Sequence, residues 1–281
     1  MKRTATLLAL IALTIVPQAQ AGTGFIKSLA AAEKEAKAKK QMIFVDMFAQ
    51  WCGWCHRFDK EVVPSEVFQK ATANMVLLRL DTEDAAEGTR FAQKYKISSL
   101  PTFLVLNSDL SLAAVIRGYA PAPQFVQMLN GALERDLAFK KLVASEKLLQ
   151  KEYGKRLEIA GQFRERQAYG ESETRLKKLV AEKNVPAEFR DKAFLELATL
   201  YMQQNHFEKV FSTVAEFGKV QTKGDSLERA KLMISEVYLA QGNMKAAMRE
   251  LRSFKNSYPN SKMASEVAGL LVSLERQYPQ Q

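Results

Sequence analysis

The sequence predicts an α/β domain followed by an all-α domain of helical repeats, and three observations carry that prediction. Short apolar runs alternate with amphipathic stretches as far as about residue 135, the pattern of strands and helices in one mixed sheet. Beyond about Phe139 strand signals disappear and helical periodicity takes over. In that second part turn signals recur at Gly170, Asn205 and Gly242, separated by 35 and 37 residues. A period in the mid-thirties is that of stacked helical hairpins.

Before the first element, Lys2 and Arg3 precede an apolar run from Ala5 to Val16, and Pro17 leads to Ala19-Gln20-Ala21. That is the layout of a secretory signal peptide over residues 1–21, with a small-x-small cleavage site. The run is short for a bilayer, and nothing later approaches the roughly 18 apolar residues a span needs. No membrane span is expected, and the chain from Gly22 is expected to be soluble in a bacterial periplasm or similar exported space. Charge divides unevenly: residues 22–138 hold 14 Lys and Arg against 13 Asp and Glu, residues 139–281 hold 25 against 18. The signs alternate along the helices, which reads as solvated faces. No nucleic-acid motif accompanies them, and no nucleic-acid partner is expected.

The elements follow in order. Residues 25–40 read as a helix with Phe25, Leu29, Ala32 and Ala36 along one face, and residues 42–48 as a buried strand. A helix opens at Cys52 and runs to about Val62, where Pro64 breaks it, and Ser65 caps a short continuation from Glu66 to Ala71. Met75 to Leu80 is a second strand and Ala85 to Tyr95 a helix. Thr102 to Leu106 is a third strand, turned by Asn107-Ser108-Asp109 into a fourth from Leu112 to Arg117. Gly118, Pro121 and Pro123 then separate it from a helix beginning near Gln124.

The chemistry concentrates in Trp51-Cys52-Gly53-Trp54-Cys55-His56, which contains both cysteines of the 281 residues. Exported proteins usually spend cysteines on distant staples. Here none is left for one, and a chain of this length can bury an ample core without them. The pair reads as chemical. Cys52 falls in the first turn of a helix that follows a buried strand, where free backbone N–H groups and the helix dipole favour a thiolate. Cys55, three residues on, shares that face and can close a disulfide with it. The run Cys-x-x-Cys-His is also an attachment signature for c-type haem, but a buried strand leading into the motif favours the thiol reading, with His56 solvated. No metal or cofactor is expected.

These residues carry a family resemblance. The order of elements and the Trp-Cys-x-x-Cys motif resemble the thioredoxin superfamily across roughly residues 25–135, and three further positions match it. Asp46 lies six residues before Cys52, where the family buries a carboxylate behind the thiols. Leu100-Pro101-Thr102 opens the third strand, where the family has a cis-proline facing them. Gly118 follows the fourth strand. The run from Asp46 to Phe68 looks most like the C-terminal periplasmic domain of the bacterial transmembrane disulfide reductase. The Gly53-Trp54 dipeptide matches neither thioredoxin nor the strong periplasmic oxidase, so redox direction does not carry over. The initial strand of thioredoxin is expected to be absent.

The resemblance implies thiol–disulfide exchange on client proteins, with a thiol protein as electron donor. Cys52 is the attacking sulfur and Cys55 the resolving one. Asp46, raised in pKa by burial, accepts the Cys55 proton, and Pro101, with Leu100 beside it, presents backbone to the substrate. Trp51 and Trp54 flank the sulfurs with apolar surface.

In the second half, Tyr238, Gly242, Ala247, Leu251 and Pro259 stand at offsets 0, 4, 9, 13 and 21, which resembles the tetratricopeptide repeat. Phe194, Leu197, Ala198 and Tyr201, then Val210 and Val214, form a degenerate preceding copy, and a weaker hairpin spans about 155–183. A last helix from Ser261 presents Val267, Leu270, Leu271, Leu274 and Tyr278 as a capping stripe. The expected division is therefore a thioredoxin-like domain over 22–138, connecting helices over 139–190, and repeats with a cap over 191–281. Such repeats expose a groove for partners. Two other functions compete with a reductase: a redox-regulated holdase, for which joining this fold to repeats is a precedent, and a disulfide isomerase.

Overall fold

The computed structural model describes residues 24–221 and 224–279. The expected signal peptide over 1–21 lies outside them. The first half is organised on a four-stranded sheet in the order β2-β1-β3-β4, with β1 Met42–Phe48, β2 Met75–Asp81, β3 Thr102–Leu106 and β4 Leu112–Arg117. β1 and β2 are parallel, and β3 is antiparallel to both β1 and β4. A parallel pair needs a crossover, and α2 (Gly53–Glu61) with α3 (Glu66–Thr72) supplies it.

Helices cover both faces, which is why the strands read as continuous apolar runs. On one face α1 (Leu29–Lys39) and α4 (Gly88–Lys94) bury Ala32, Ala36 and Phe91 against Ile43, Val45 and Met47. On the other, α2, α3 and α5 (Ala122–Ala144) pack Phe58, Phe68 and Phe125 onto Phe44 and Phe103. These five rings meet at centroid distances from 4.3 Å (Phe58 to Phe103) to 6.1 Å (Phe44 to Phe125). Strand alternation puts Asp46 on the same face as Phe44, beneath α2.

Several boundaries differ from the sequence reading. α1 begins at Leu29, not residue 25, because Ile26 forms a one-residue parallel bridge on the outer side of β2. Its N–H donates to the Leu77 carbonyl at 2.8 Å and its carbonyl accepts from Arg79 N–H at 2.8 Å. A single bridge thus stands on the edge where no initial strand was expected. Cys52 is the N-cap of α2 and precedes its first turn. α4 starts at Gly88 instead of Ala85, because the chain must first pass close over β2: a Cβ on Gly88 would lie 1.6 Å from the Asp81 carbonyl oxygen. α5 begins at Ala122, with Pro121 as N-cap and Pro123 in its first turn, where a missing N–H costs nothing. It runs on to Ala144, so the boundary expected at 138 falls inside one helix.

The second half consists of α6 (Tyr153–Glu165), α7 (Tyr169–Ala181), α8 (Ala187–Gln203), α9 (Phe207–Val220), α10 (Asp225–Ala240), α11 (Met244–Ser257) and α12 (Ala264–Gln277). Sequence neighbours pack together, and α8 also packs against α6 and α10. Phe194 and Tyr201 are buried in this core, and Tyr238 is half-buried against Phe211. Three hairpins share one turn. Gln167, Asn205 and Gly242 take left-handed φ values of 58°, 58° and 73°. The residue after each donates its N–H five residues back: Ala168 to Phe163, His206 to Tyr201, Asn243 to Tyr238. Gly170, read as the first turn, lies inside α7 instead, and Gln167 makes the turn. α12 starts at Ala264 and buries Val267, Leu271 and Leu274, leaving Leu270 and Tyr278 exposed.

Candidate functional site

β1 delivers the chain through buried Ala49 to the start of α2, where the Cys52 N–H donates to the Ala49 carbonyl at 3.0 Å. Cys52 and Cys55 form a disulfide. The Cys55 N–H donates both to the Cys52 carbonyl at 3.0 Å and to the Cys52 Sγ at 3.2 Å, so the first sulfur shares a donor of the helix start. Both residues are almost covered, at 4% and 3% exposed, and they pack with Ala49, Phe48 and Leu100. The Leu100–Pro101 bond is cis, Pro101 is buried, and its carbonyl accepts the Gly118 N–H at 2.9 Å.

The tryptophans remain outside. Trp51 is 69% exposed and donates through Nε1 to Glu83 at 2.9 Å. Trp54, 55% exposed, stacks on Tyr119 at 5.4 Å, with the Arg57 guanidinium 5.5 Å from the Trp54 ring and 5.1 Å from the Tyr119 ring. Glu61 pairs with Arg57 at 2.9 Å and accepts from the Tyr119 hydroxyl, fixing the group. Those contacts set its protonation. The Tyr119 hydrogen bond first, then Arg57, holds Glu61 below the ordinary glutamate value. The exposed His56 places Nε2 2.7 Å from the Gln50 carbonyl oxygen.

Asp46 is 2% exposed and does not stand alone. Its Oδ2 accepts from Arg79 Nε at 2.8 Å and from Nη2 at 2.6 Å. Arg79 also donates to both Asp59 oxygens on α2, and its guanidinium lies 4.3 Å from the Phe25 ring. The arginine is thus shared between a buried carboxylate in β1 and a half-exposed one in the disulfide's own helix. Burial pushes the Asp46 pKa up to about 6, against the opposing pull of the Arg79 charge and hydrogen bonds. Burial also pulls Arg79 down, but Asp46 and Asp59 together leave it above its ordinary value.

The fold therefore packs Leu100 against the Cys52–Cys55 disulfide with Pro101 next in the chain, keeps Asp46 on the sheet face beneath α2, and leaves Trp51 and Trp54 exposed. Sequence reasoning missed Arg79, Asp59, Arg57, Glu61 and Tyr119. Two had signals: Arg79 is the one charge in the apolar run Met75 to Leu80, and Asp59 stands four residues after Cys55, on the same helix face. Among the described residues no three His, Cys, Asp or Glu side chains converge as a metal-binding group.

The fold thus presents a disulfide at the start of a helix, a buried carboxylate in the strand that leads to it, and a cis-proline just before β3. Residues 29–133 match the family model described as a thioredoxin-like domain, and this part of the chain is a thioredoxin-like domain. Over 98 residues the chain is 33% identical to the thiol:disulfide interchange protein DsbD of Yersinia pestis (strain Pestoides F), which covers 34% of this chain and 16% of that protein. Over 94 residues it is 33% identical to the chloroplastic thioredoxin Y of Oryza sativa subsp. japonica, covering 33% of this chain and 51% of that one. The chain thus spans about one sixth of the length of the DsbD relatives it matches. Among solved structures, the oxidised C-terminal domain of Neisseria meningitidis DsbD aligns with a TM-score of 0.34 at 17% identity, covering 39% of this chain and 99% of that one. Among the described residues no helix is long and apolar enough to cross a membrane.

Proposed function

We propose that the protein is an exported thiol–disulfide oxidoreductase that reduces disulfides of client proteins in the periplasm. The observation that carries this reading is the Cys52–Cys55 disulfide at the N-terminus of α2 with the Asp46 carboxyl buried on the sheet face beneath that helix. In the reduced protein the Cys52 thiolate, favoured by the free N–H groups of the helix start, attacks one sulfur of a client disulfide. One client sulfur leaves as a thiolate and a mixed disulfide to Cys52 forms. Cys55 passes its proton to ionised Asp46, directly or through water, and its thiolate attacks the Cys52 sulfur. The client's second sulfur leaves, the client is reduced by two electrons, and the Cys52–Cys55 disulfide is restored. A thiol donor protein returns the two electrons.

Leu100 and Pro101 border the disulfide and offer backbone to the client chain, while Trp51 and Trp54 offer apolar surface. The helical half serves as a partner-binding module of tetratricopeptide type, a reading supported by three hairpins with the same left-handed turn. The sequence signal over residues 1–21 supports export.

The test is capture of clients with Cys55→Ala, which leaves the mixed disulfide unresolved. Expression in the periplasm should yield covalent adducts that a reductant releases and that are missing with Cys52→Ala. Identical patterns from the two variants, with no insulin reduction by the unaltered protein under a thiol donor, would falsify the exchange reading.

A further inference from the structure

The sheet ends on β4, and among the described residues no strand pairs with its outer side. That side opens into a cleft of about 880 Å³ whose other walls come from α5, α6 and the turn between α6 and α7. The cleft is a different place from the disulfide: none of its lining residues packs against Cys52 or Cys55.

Its charge is one-sided. Lys96, Arg117, Arg135, Arg164 and Arg166 line it, against the carboxylates of Glu158 and Glu165. Arg164 is paired to Glu196 at 3.0 Å, and Lys96 donates to the Gln203 carbonyl. Arg117 and Arg135 are exposed and have no ion-pair partner among the described residues. Arg166 is the most telling. Its guanidinium lies 4.0 Å from the Phe139 ring and its Nη1 donates to the Gln162 side chain at 3.1 Å, but its Nε is buried without a hydrogen-bond partner and the nearest carboxylate oxygen, on Asp136, is 3.7 Å away. Burial holds its pKa below the ordinary arginine value despite Asp136 and Glu165. A desolvated, incompletely paired cation beside two unpaired ones favours an incoming anion.

A free strand edge recognises extended chain through backbone hydrogen bonds, and flanking side chains set which chain it takes. We propose that an extended acidic peptide segment of a partner protein binds this cleft as an added strand on β4. Arg117, in the cleft, is two residues before Tyr119, which stacks on Trp54. The binding site is separate from the redox chemistry and does not depend on it.

Fluorescence anisotropy with the full chain tests this, using a fluorescein-labelled decapeptide of alternating Glu and Val. The peptide should bind, and Arg117→Glu with Arg135→Glu should weaken it about 10-fold or more, as removal of rim charge and its reversal do. Both side chains are exposed, so the double variant should keep its far-UV circular dichroism and its thermal midpoint. Replacing Cys52 and Cys55 by alanine should leave the affinity unchanged, which separates this site from the exchange reading. Methylating alternate peptide nitrogens should abolish binding, since the strand pairing is lost. The proposal is overturned if a Lys–Val peptide binds as well, if the charge reversals change nothing, or if the methylated peptide binds equally. Self-association of the protein that excludes the peptide would overturn it too.

Discussion

Asp46 in β1 and Asp136 in α5 are both almost wholly buried carboxylates, yet cations meet them in different ways. Asp46 receives two hydrogen bonds from Arg79, its register partner on the neighbouring strand, and Asp59 closes on the same guanidinium from α2. Asp136 is held by Lys140 one turn along its own helix at 2.6 Å, while Arg166, just past the end of α6, stops at 3.7 Å. The mixed half thus builds its charge site from three elements locked by a sheet. The junction with the helical half relies on local pairing and leaves a cation partly unpaired. The contrast teaches that tertiary registration fixes a titrating group, whereas helix-local pairing leaves a surface able to accept a ligand.

The largest expected effect breaks or keeps that contrast. Arg79→Ala strips a buried carboxylate of its only close cation among the described residues, and such removals cost about 3–5 kcal/mol. Arg166→Ala leaves Lys140 on Asp136 and should cost about 1–2 kcal/mol, mostly lost packing on Phe139. Urea denaturation of the oxidised protein at neutral pH measures both. Equal losses would mean the two sites are built alike.

The next effect concerns pH. The folded-state pKa of Asp46 is raised to about 6, so its contribution to stability is complete below the ordinary aspartate range and is lost as pH rises through about 6. Asp46→Asn removes this titration. The unaltered protein should therefore lose on the order of 1–3 kcal/mol between acid and neutral pH that the variant does not lose. The same variant should slow release of client from the mixed disulfide at neutral pH. In the unaltered protein that release should slow below about pH 6, as Asp46 becomes protonated. A variant with the same pH slope as the unaltered chain would remove Asp46 from the proton path.

What the sequence shows of this site follows from which interactions are local. The thiol pair, the strand before it and Ser65 as a cap are legible because each depends on residues within a few positions. The α/β class is legible from the succession of apolar runs. The Asp46–Arg79 pair is not, because it depends on the register of two parallel strands joined by two helices, and periodicity does not specify register. Asp59 joins the pair only because α2 lies above the Asp46 face of the sheet, a tertiary placement that no local pattern encodes. The division expected at residue 138 falls within α5, whose apolar stripe continues through Phe139, which packs on Phe163 of α6. A stripe that is core in one half becomes contact with the other without any break in pattern.

Gly88→Ala comes next in size and probes the tertiary side of the contrast. The added Cβ would meet the Asp81 backbone, which cannot swing aside as a side chain does. Moving β2's last residue or the start of α4 should cost about 1–3 kcal/mol by urea midpoint. A loss of a few tenths would show that the close pass over β2 adjusts freely.

The smallest effect probes the local side. Gln167, Asn205 and Gly242 occupy the same left-handed turn position, but only one is glycine. A residue with a Cβ pays about 1 kcal/mol there, less for asparagine, while glycine adds unfolded-state entropy. Gln167→Gly should therefore stabilise the chain by about 0.5–1 kcal/mol, and Asn205→Gly by less. Gly242→Ala should destabilise by a comparable amount. If the three turns are one structural unit repeated, these shifts follow the residue replaced and not its place in the array. Should Gln167→Gly instead destabilise, the first hairpin would be held by side-chain contacts of Gln167, and the repeat would begin with α8.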